Sequence, residues 1–290
     1  MILADKIKLG TNQLDQALTL MDAKWFAEPI DMLTVTGIPI PNNRAIIRTD
    51  KNIVLGVVGN RYVPIQNTDS FSFLDILAQQ YKASYTFGYL VDNGRQTAVQ
   101  ITMGNDYEVR KGDFICNYIT VINSFDGSIP LRAYFTPYRR LSGTQCRGAI
   151  RGTVNNVSIR HTKSASTKLE EALHVMNVSN QFFDKFKELC SKMAKKVIDK
   201  QKADDFLIEV FGEPKTQPNK DKHDQVAWLF QNGKGNGGGT VWDLYNAVSE
   251  WNDHFRYKGK GDDDAKHAAA EILTGVGIKE RAFKAAVDLL

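Results

Sequence analysis

Arg132, Arg139, Arg140, Arg147, Arg151, Arg160 and Lys163 fall within residues 132–163, with His161 beside them and no Asp or Glu in between. A guanidinium presents a planar fork of donors that matches phosphate oxygens, and Tyr134, Phe135 and Tyr138 offer flat surfaces for a base or a sugar. That combination points to a polyanion. The plainer alternative is that individual arginines are solvated or paired with acids elsewhere in the chain. It applies to a single arginine more easily than to the block, because a run without local acid leaves its field uncompensated nearby.

Other chemistry finds less support. The glycine run at residues 233–240 lacks the GxxxxGK[ST] spacing of a phosphate loop and is expected to be a mobile linker. Asp262, Asp263 and Asp264 are adjacent, so their side chains diverge, and an N-cap for the next helix explains them better than a metal. Gly275-Val276-Gly277 has the outline of a helix-hairpin-helix turn, with a plain glycine turn as the simpler reading. Ser142-Gly143 lacks a GxSxG setting, and Cys146 has no orienting partner in sequence. Glu250 and His254 lie four apart, as in ordinary helical pairing. No catalytic residue, metal or cofactor is expected, and the chain reads as a non-enzyme.

A length of 290 residues with 42% apolar side chains suffices for a substantial core. The net charge of +4 is mild, so partners must be judged from local charge rather than from the total. Cys116, Cys146 and Cys190 are odd in number and lack ligand spacing, as expected of buried thiols in a reducing compartment. No apolar run approaches a membrane span, and the first ten residues lack the apolar core of a signal peptide. The expectation is therefore a cytoplasmic protein with no membrane partner.

The elements that must position the basic block follow from periodicity and turn chemistry. Residues 12–26 form a short amphipathic helix, and strands follow at 32–36, 45–48 and 53–58, punctuated by Pro39, Pro41 and Asn42-Asn43. Asn67 or Thr68 caps a second helix. Residues 85–138 read as an antiparallel meander with turns at Asp92-Asn93-Gly94 and Asp126-Gly127. Along its last strand Leu131, Ala133 and Phe135 face one way and Arg132, Tyr134 and Thr136 the other, and Pro137 is expected to end the ladder. Residues 139–156 look irregular. A long helix then runs from a capping box at Thr167 to about Val197, on the order of 50 Å at about 1.5 Å per residue. Residues 214–222 read as a polar linker, and 241–256 as a helix with Trp242, Tyr245, Val248 and Trp251 on one face. The fold class is α+β: an antiparallel β-meander with a long packing helix over residues 1–203, and a helical C-terminal region over 204–290.

Several ordered motifs resemble a known family. They are Leu55-Gly56-Val57-Val58-Gly59-Asn60-Arg61-Tyr62-Val63-Pro64-Ile65-Gln66-Asn67, Ser124-Phe125-Asp126-Gly127-Ser128, Phe135-Thr136-Pro137, Ile159-Arg160-His161-Thr162 and Trp242-Asp243-Leu244-Tyr245-Asn246-Ala247-Val248. Together they are similar to the phage- and plasmid-like family designated domain of unknown function 932. Residues 138–146 depart from its pattern and keep only the arginine. The expected order of helix, meander and long helix also resembles phage single-strand annealing proteins of the Red-beta, RecT and Erf class. That second resemblance implies an ATP-independent protein that binds and anneals single-stranded DNA as a homo-oligomeric ring or filament in a bacterial cell. It places Arg132, Arg139, Arg140, Arg151, Arg160 and Lys163 along the strand's backbone and Tyr134 or Tyr138 against bases or sugars, and Arg147 and His161 are expected among the same nucleic-acid-binding residues. The alternative expectation is a non-catalytic protein-binding factor of anti-defence or plasmid-maintenance type that uses the apolar face of the long helix.

Overall fold

The computed structural model describes residues 4–81, 83–104, 106–148, 156–162, 179–257, 263–274 and 276–290. The architecture is α+β, with antiparallel sheets and a helical C-terminal region. The chain divides into two compact units that interleave along the sequence. The first comprises Met1–Gly104, Tyr118–Phe135 and Asn156–Ser179, and the second Asn105–Asn117, Thr136–Asn155 and Asn180–Leu290. The boundary expected at residue 203 falls inside the helix Lys200–Phe211.

The first unit carries most of the larger sheet. Strands β1 (Ala4–Thr11), β5 (Ser84–Val91), β6 (Gln96–Thr102), β8 (Asp113–Ser124) and β9 (Leu131–Arg139) are neighbours in that order, and β7 (Tyr107–Arg110) pairs with the start of β8. β6 is flanked on both sides and buried along most of its length, and its central Gln100 finds its partners on the neighbouring strands. Tyr89 donates to Gln100 at 3.1 Å, and Gln100 in turn donates to Thr120 at 3.0 Å. Helix α1 (Leu14–Leu20) is shorter than expected, and α2 (Asn67–Tyr81) starts where the capping residues placed it. The Asn67 side chain does not cap, however: it donates to the Ala23 carbonyl and accepts from Thr97.

A separate three-stranded sheet joins β2 (Ala27–Leu33), β3 (Pro39–Arg48) and β4 (Ile53–Gly59). Pro39 and Pro41, expected in a turn, lie inside β3. The strand tolerates them because continuous pairing with both neighbours begins only around Arg44. The inner side of this sheet packs Ile46, Leu55 and Val58 against Trp25 and Phe125, whose rings are 4.9 Å apart, and Tyr62 rests on the same cluster.

Two strand assignments of the basic block change. Pro137 does not end β9, which continues to Arg139 and pairs with β10 (Thr144–Gln145); the Pro137 carbonyl accepts from Cys146 N at 2.7 Å. Asn156, the last residue of the stretch expected to be irregular, opens β11 (Asn156–Ile159), which pairs antiparallel with β9 so that Ser158 stands opposite Arg132.

In the second unit the long helix is described from Ser179 to Lys195 (α3); its expected first part lies outside the described residues. It ends before Val197, which is 76% exposed and bridges to Thr240 instead of extending the apolar stripe. Helix α4 (Lys200–Phe211) follows a cap by Asp199, and the expected linker is largely helix α5 (Gln217–Asn232), with Pro218 in its first turn where a missing N–H costs nothing. Helix α6 (Val241–Glu250) opens on a Thr240/Asp243 capping box, is buried along its whole length and continues as a π-helical turn over Trp251–Phe255. Helices α7 (Asp263–Ala269) and α8 (Val276–Asp288) complete the unit, and the Tyr245 and Phe283 rings pack 5.6 Å apart edge to face.

Candidate functional site

The two units divide the basic block between them. Arg132, Tyr134, Arg160 and His161 belong to the first, and Tyr138, Arg139, Arg140 and Arg147 to the second. Arg151 and Lys163 lie outside the described residues.

In the second unit most of the arginine charge is spent internally. Arg139 is fully buried and donates from Nε and Nη2 to both oxygens of Asp113, at 2.8 and 2.7 Å. Its remaining donors reach the Asn236 side chain and the Gly235 carbonyl, while Trp242 Nε1 donates to Asp113 at 2.9 Å. Arg147 is 4% exposed and donates to Gln145, and Arg140 is paired with Asp106. Arg139 and Arg147 therefore do not face a strand as expected. Buried guanidinium groups need fixed partners, and distant acids that the sequence separates from the block supply the one for Arg139. The glycine run is likewise no free linker. Arg110 and Arg139 bond its Gly235 carbonyl, and Glu250 accepts from Lys234 N at 3.0 Å. Among the described residues no hydrogen bond or ion pair joins Glu250 to His254, whose Nε2 instead lies 2.8 Å from the Ser142 carbonyl. Burial pushes the Cys146 thiol up to about 12, which keeps it protonated and unsuited to nucleophilic attack.

The first unit holds the other arrangement. A cleft of about 640 Å³ is lined by Arg61, Tyr62, Arg132, Ser158, Arg160 and His161, together with the Gly127–Pro130 turn. The pairing of β11 with β9 places Ser158 and Arg160 beside Arg132, whose Nη1 donates to the Tyr134 hydroxyl at 3.1 Å. The turn after β4 delivers Arg61 and Tyr62: Tyr62 N bonds the Gly59 carbonyl, and Val63 N bonds the His161 carbonyl at 3.1 Å. The Tyr62 ring is anchored by its hydroxyl, which donates to the Ser124 carbonyl at 2.6 Å, and it stacks on His161 with centroids 4.8 Å apart and planes 17° from parallel. Among the described residues, none of Arg61, Arg132 and Arg160 forms an ion pair.

His161 is 7% exposed, and among the described residues neither ring nitrogen makes a full hydrogen bond, the Val63 backbone offering only a loose one. Burial lowers its pKa to about 4, against weaker opposing effects of the Val63 backbone and the Asp126 charge, so the imidazole is neutral near pH 7. A neutral ring offers one donor and one acceptor to whatever enters the cleft. A second recess of about 600 Å³ adjoins the first and shares Arg61, Tyr62 and Gly127, adding Asn42, Val57, Asn60 and Asp126.

Arg61 and Tyr62 are functional candidates that the reading of the basic block missed. They lie 70 residues upstream, and their local signal, a Gly-Asn turn between an apolar strand and Pro64, resembles any hairpin end. Among the described residues, no group of His, Cys, Asp or Glu could hold a metal ion, and no helix is long and apolar enough to cross a membrane. No curated protein and no solved structure matches the chain. Residues 54–273 match the family described as Domain of unknown function (DUF932), which covers well over half of the chain, and the protein belongs to that family.

Proposed function

We propose that the protein binds single-stranded DNA through the Arg61/Arg132/Arg160 cleft and, as a homo-oligomer in a phage or plasmid recombination module, anneals complementary strands without ATP. One observation carries this reading: three guanidinium groups that form no ion pair among the described residues converge on a single cleft beside an anchored Tyr62 ring. Cationic forks next to an aromatic platform suit a phosphate backbone with unstacked bases. The reading is one of binding and not of catalysis.

The experiment is annealing of complementary oligonucleotides, with and without protein, at two salt concentrations. Faster annealing that Arg61→Gln and Arg160→Gln each weaken is the expected result. Equal rates with and without the wild-type protein would reject the reading.

A second reading, a protein-binding factor without affinity for DNA, draws on a different feature. The outward side of the three-stranded sheet exposes apolar side chains, with Ile30 and Val57 46% and 51% exposed and aligned across Ala45, and Val54 55% exposed opposite Ile47. Exposed apolar patches of this kind mark contact surfaces. In the annealing reading the same surface meets a second copy of this chain. A strictly monomeric protein with no DNA affinity and one stable heterologous partner would favour the second reading.

A further inference from the structure

We infer that the cleft holds a phosphomonoester, the terminal phosphate of a nucleic-acid strand, in preference to an internal phosphodiester. The inference rests on the cleft being the nucleic-acid site proposed above, and it names the part of the strand that is recognised.

Three observations carry it. The first is a surplus of donors. Arg61, Arg132 and Arg160 line one cleft of about 640 Å³ with the Ser158 hydroxyl, and no acid pairs with any of the three guanidinium groups among the described residues. An internal phosphodiester brings one negative charge and two free oxygens. A terminal monoester brings about −1.5 to −2 near neutral pH and three acceptor oxygens, so it matches this cluster better.

The second is His161. It is more than nine-tenths buried, neither ring nitrogen makes a full hydrogen bond among the described residues, and it lines the same cleft. Buried polar atoms are rarely left unsatisfied, and a further phosphate oxygen would take the imidazole N–H in whichever tautomer presents it.

The third is the adjoining recess. It shares Arg61, Tyr62 and Gly127 with the cleft but carries the Asp126 carboxylate and the amides of Asn42 and Asn60. Asp126 already accepts from Ser128 N and Ser128 Oγ, at 2.9 and 2.5 Å. A carboxylate there repels a second phosphate, whereas the amides and Val57 suit an uncharged nucleoside. One phosphate in the cleft and one nucleoside beside it describe the end of a chain and not a strand running through.

The test uses the full-length protein and one oligonucleotide in three forms: 5′-phosphorylated, 3′-phosphorylated and with hydroxyls at both ends. Each carries an internal fluorophore and is titrated by anisotropy, with a nucleoside 5′-monophosphate as competitor. One phosphorylated form is expected to bind about tenfold tighter than the hydroxyl form, or more, the scale of one charge-assisted contact. Arg160→Gln, at an exposed position, and His161→Asn should each shrink that ratio toward one, with thermal melting of both variants reporting their folding. Equal affinity for all three forms overturns this inference and leaves single-strand binding standing. Binding of the mononucleotide with no binding of any oligonucleotide keeps the phosphomonoester site but rejects the proposed function. Failure to bind either rejects both.

Discussion

Arg139 and Arg160 belong to one acid-free run of sequence yet do opposite work. Arg139 is buried against Asp113 and holds the glycine loop, whereas Arg160 is exposed at the rim of the cleft. Removing one partner of a buried ion pair strands the other charge, so Arg139→Ala should cost on the order of 3–5 kcal/mol of folding stability. Arg160→Ala should change stability by no more than about 0.5 kcal/mol while weakening DNA binding. Urea denaturation and anisotropy on both variants would separate the roles, and the reverse pattern would mean that the nucleic-acid surface lies with Arg139. His161 makes a second prediction at this scale. Its folded pKa of about 4 lies below the ordinary value of 6.5, so the unfolded chain takes up a proton between these values while the folded chain resists one. The stability tied to its neutral form is complete above pH 6.5 and is lost as the pH falls toward 4. The loss reaches up to about 3 kcal/mol, because each tenfold difference in proton affinity between the folded and unfolded chain is worth about 1.4 kcal/mol. His161→Phe keeps a ring on Tyr62 and removes the proton. Its urea midpoint should therefore fall less between pH 7 and pH 4.5 than that of the wild type, and identical slopes would show that the ring is not held neutral.

Several helices and strands were legible in the sequence because their signals are local, whereas β1, α4 and the first part of α5 were not read. The alternation in 131–135 correctly puts Arg132 and Tyr134 on one side, and the Trp242, Tyr245, Val248 and Trp251 stripe correctly marks a helix, although that helix is buried on every face and not on one. The site itself was only half legible. Its Arg132, Arg160 and His161 stand in the basic block, but what gathers them is the pairing of β11 with β9 and the turn carrying Arg61 and Tyr62. A four-residue strand has too short a pattern to identify, and its partner lies more than 20 residues away, so neither propensity nor periodicity reports the contact. The partner of Arg139 was hidden for the same reason: Asp113 lies on another strand, and its counter-charge cannot be read from the local run. The three-stranded sheet carries its own prediction. Val54 and Val57 alternate with the buried Leu55 and Val58, so their side chains leave the core from a strand that is otherwise well anchored. Replacing both by Lys should leave the monomer's stability within about 1 kcal/mol, because neither fills the core. If this side is where copies of the chain meet, light scattering should show a smaller particle for the double variant, whereas an unchanged size would clear the sheet of that role.

For the molecule as a whole, the charge total of +4 is too small to draw a polyanion from a distance, so any affinity for DNA must come from charge concentrated at one place. The two ways of concentrating it differ in how many counterions a bound strand releases. Had the whole basic block faced the strand, seven or so cations would contribute, and the logarithm of the affinity would fall with the logarithm of salt at a slope of about −5, taking about −0.7 per phosphate contact on a single strand. The cleft offers three guanidinium groups, and the same arithmetic gives a slope no steeper than about −2, reached when each meets its own phosphate charge. Titrating an oligonucleotide from low to physiological salt distinguishes these slopes readily, since a fourfold rise in salt would lower the affinity about 16-fold in one case and about 1,000-fold in the other. A slope near −2 that drops by about 0.7 in Arg61→Gln would tie the affinity to the cleft. A slope near −5, insensitive to that variant, would instead require a larger cationic surface and remove the cleft from the centre of the function.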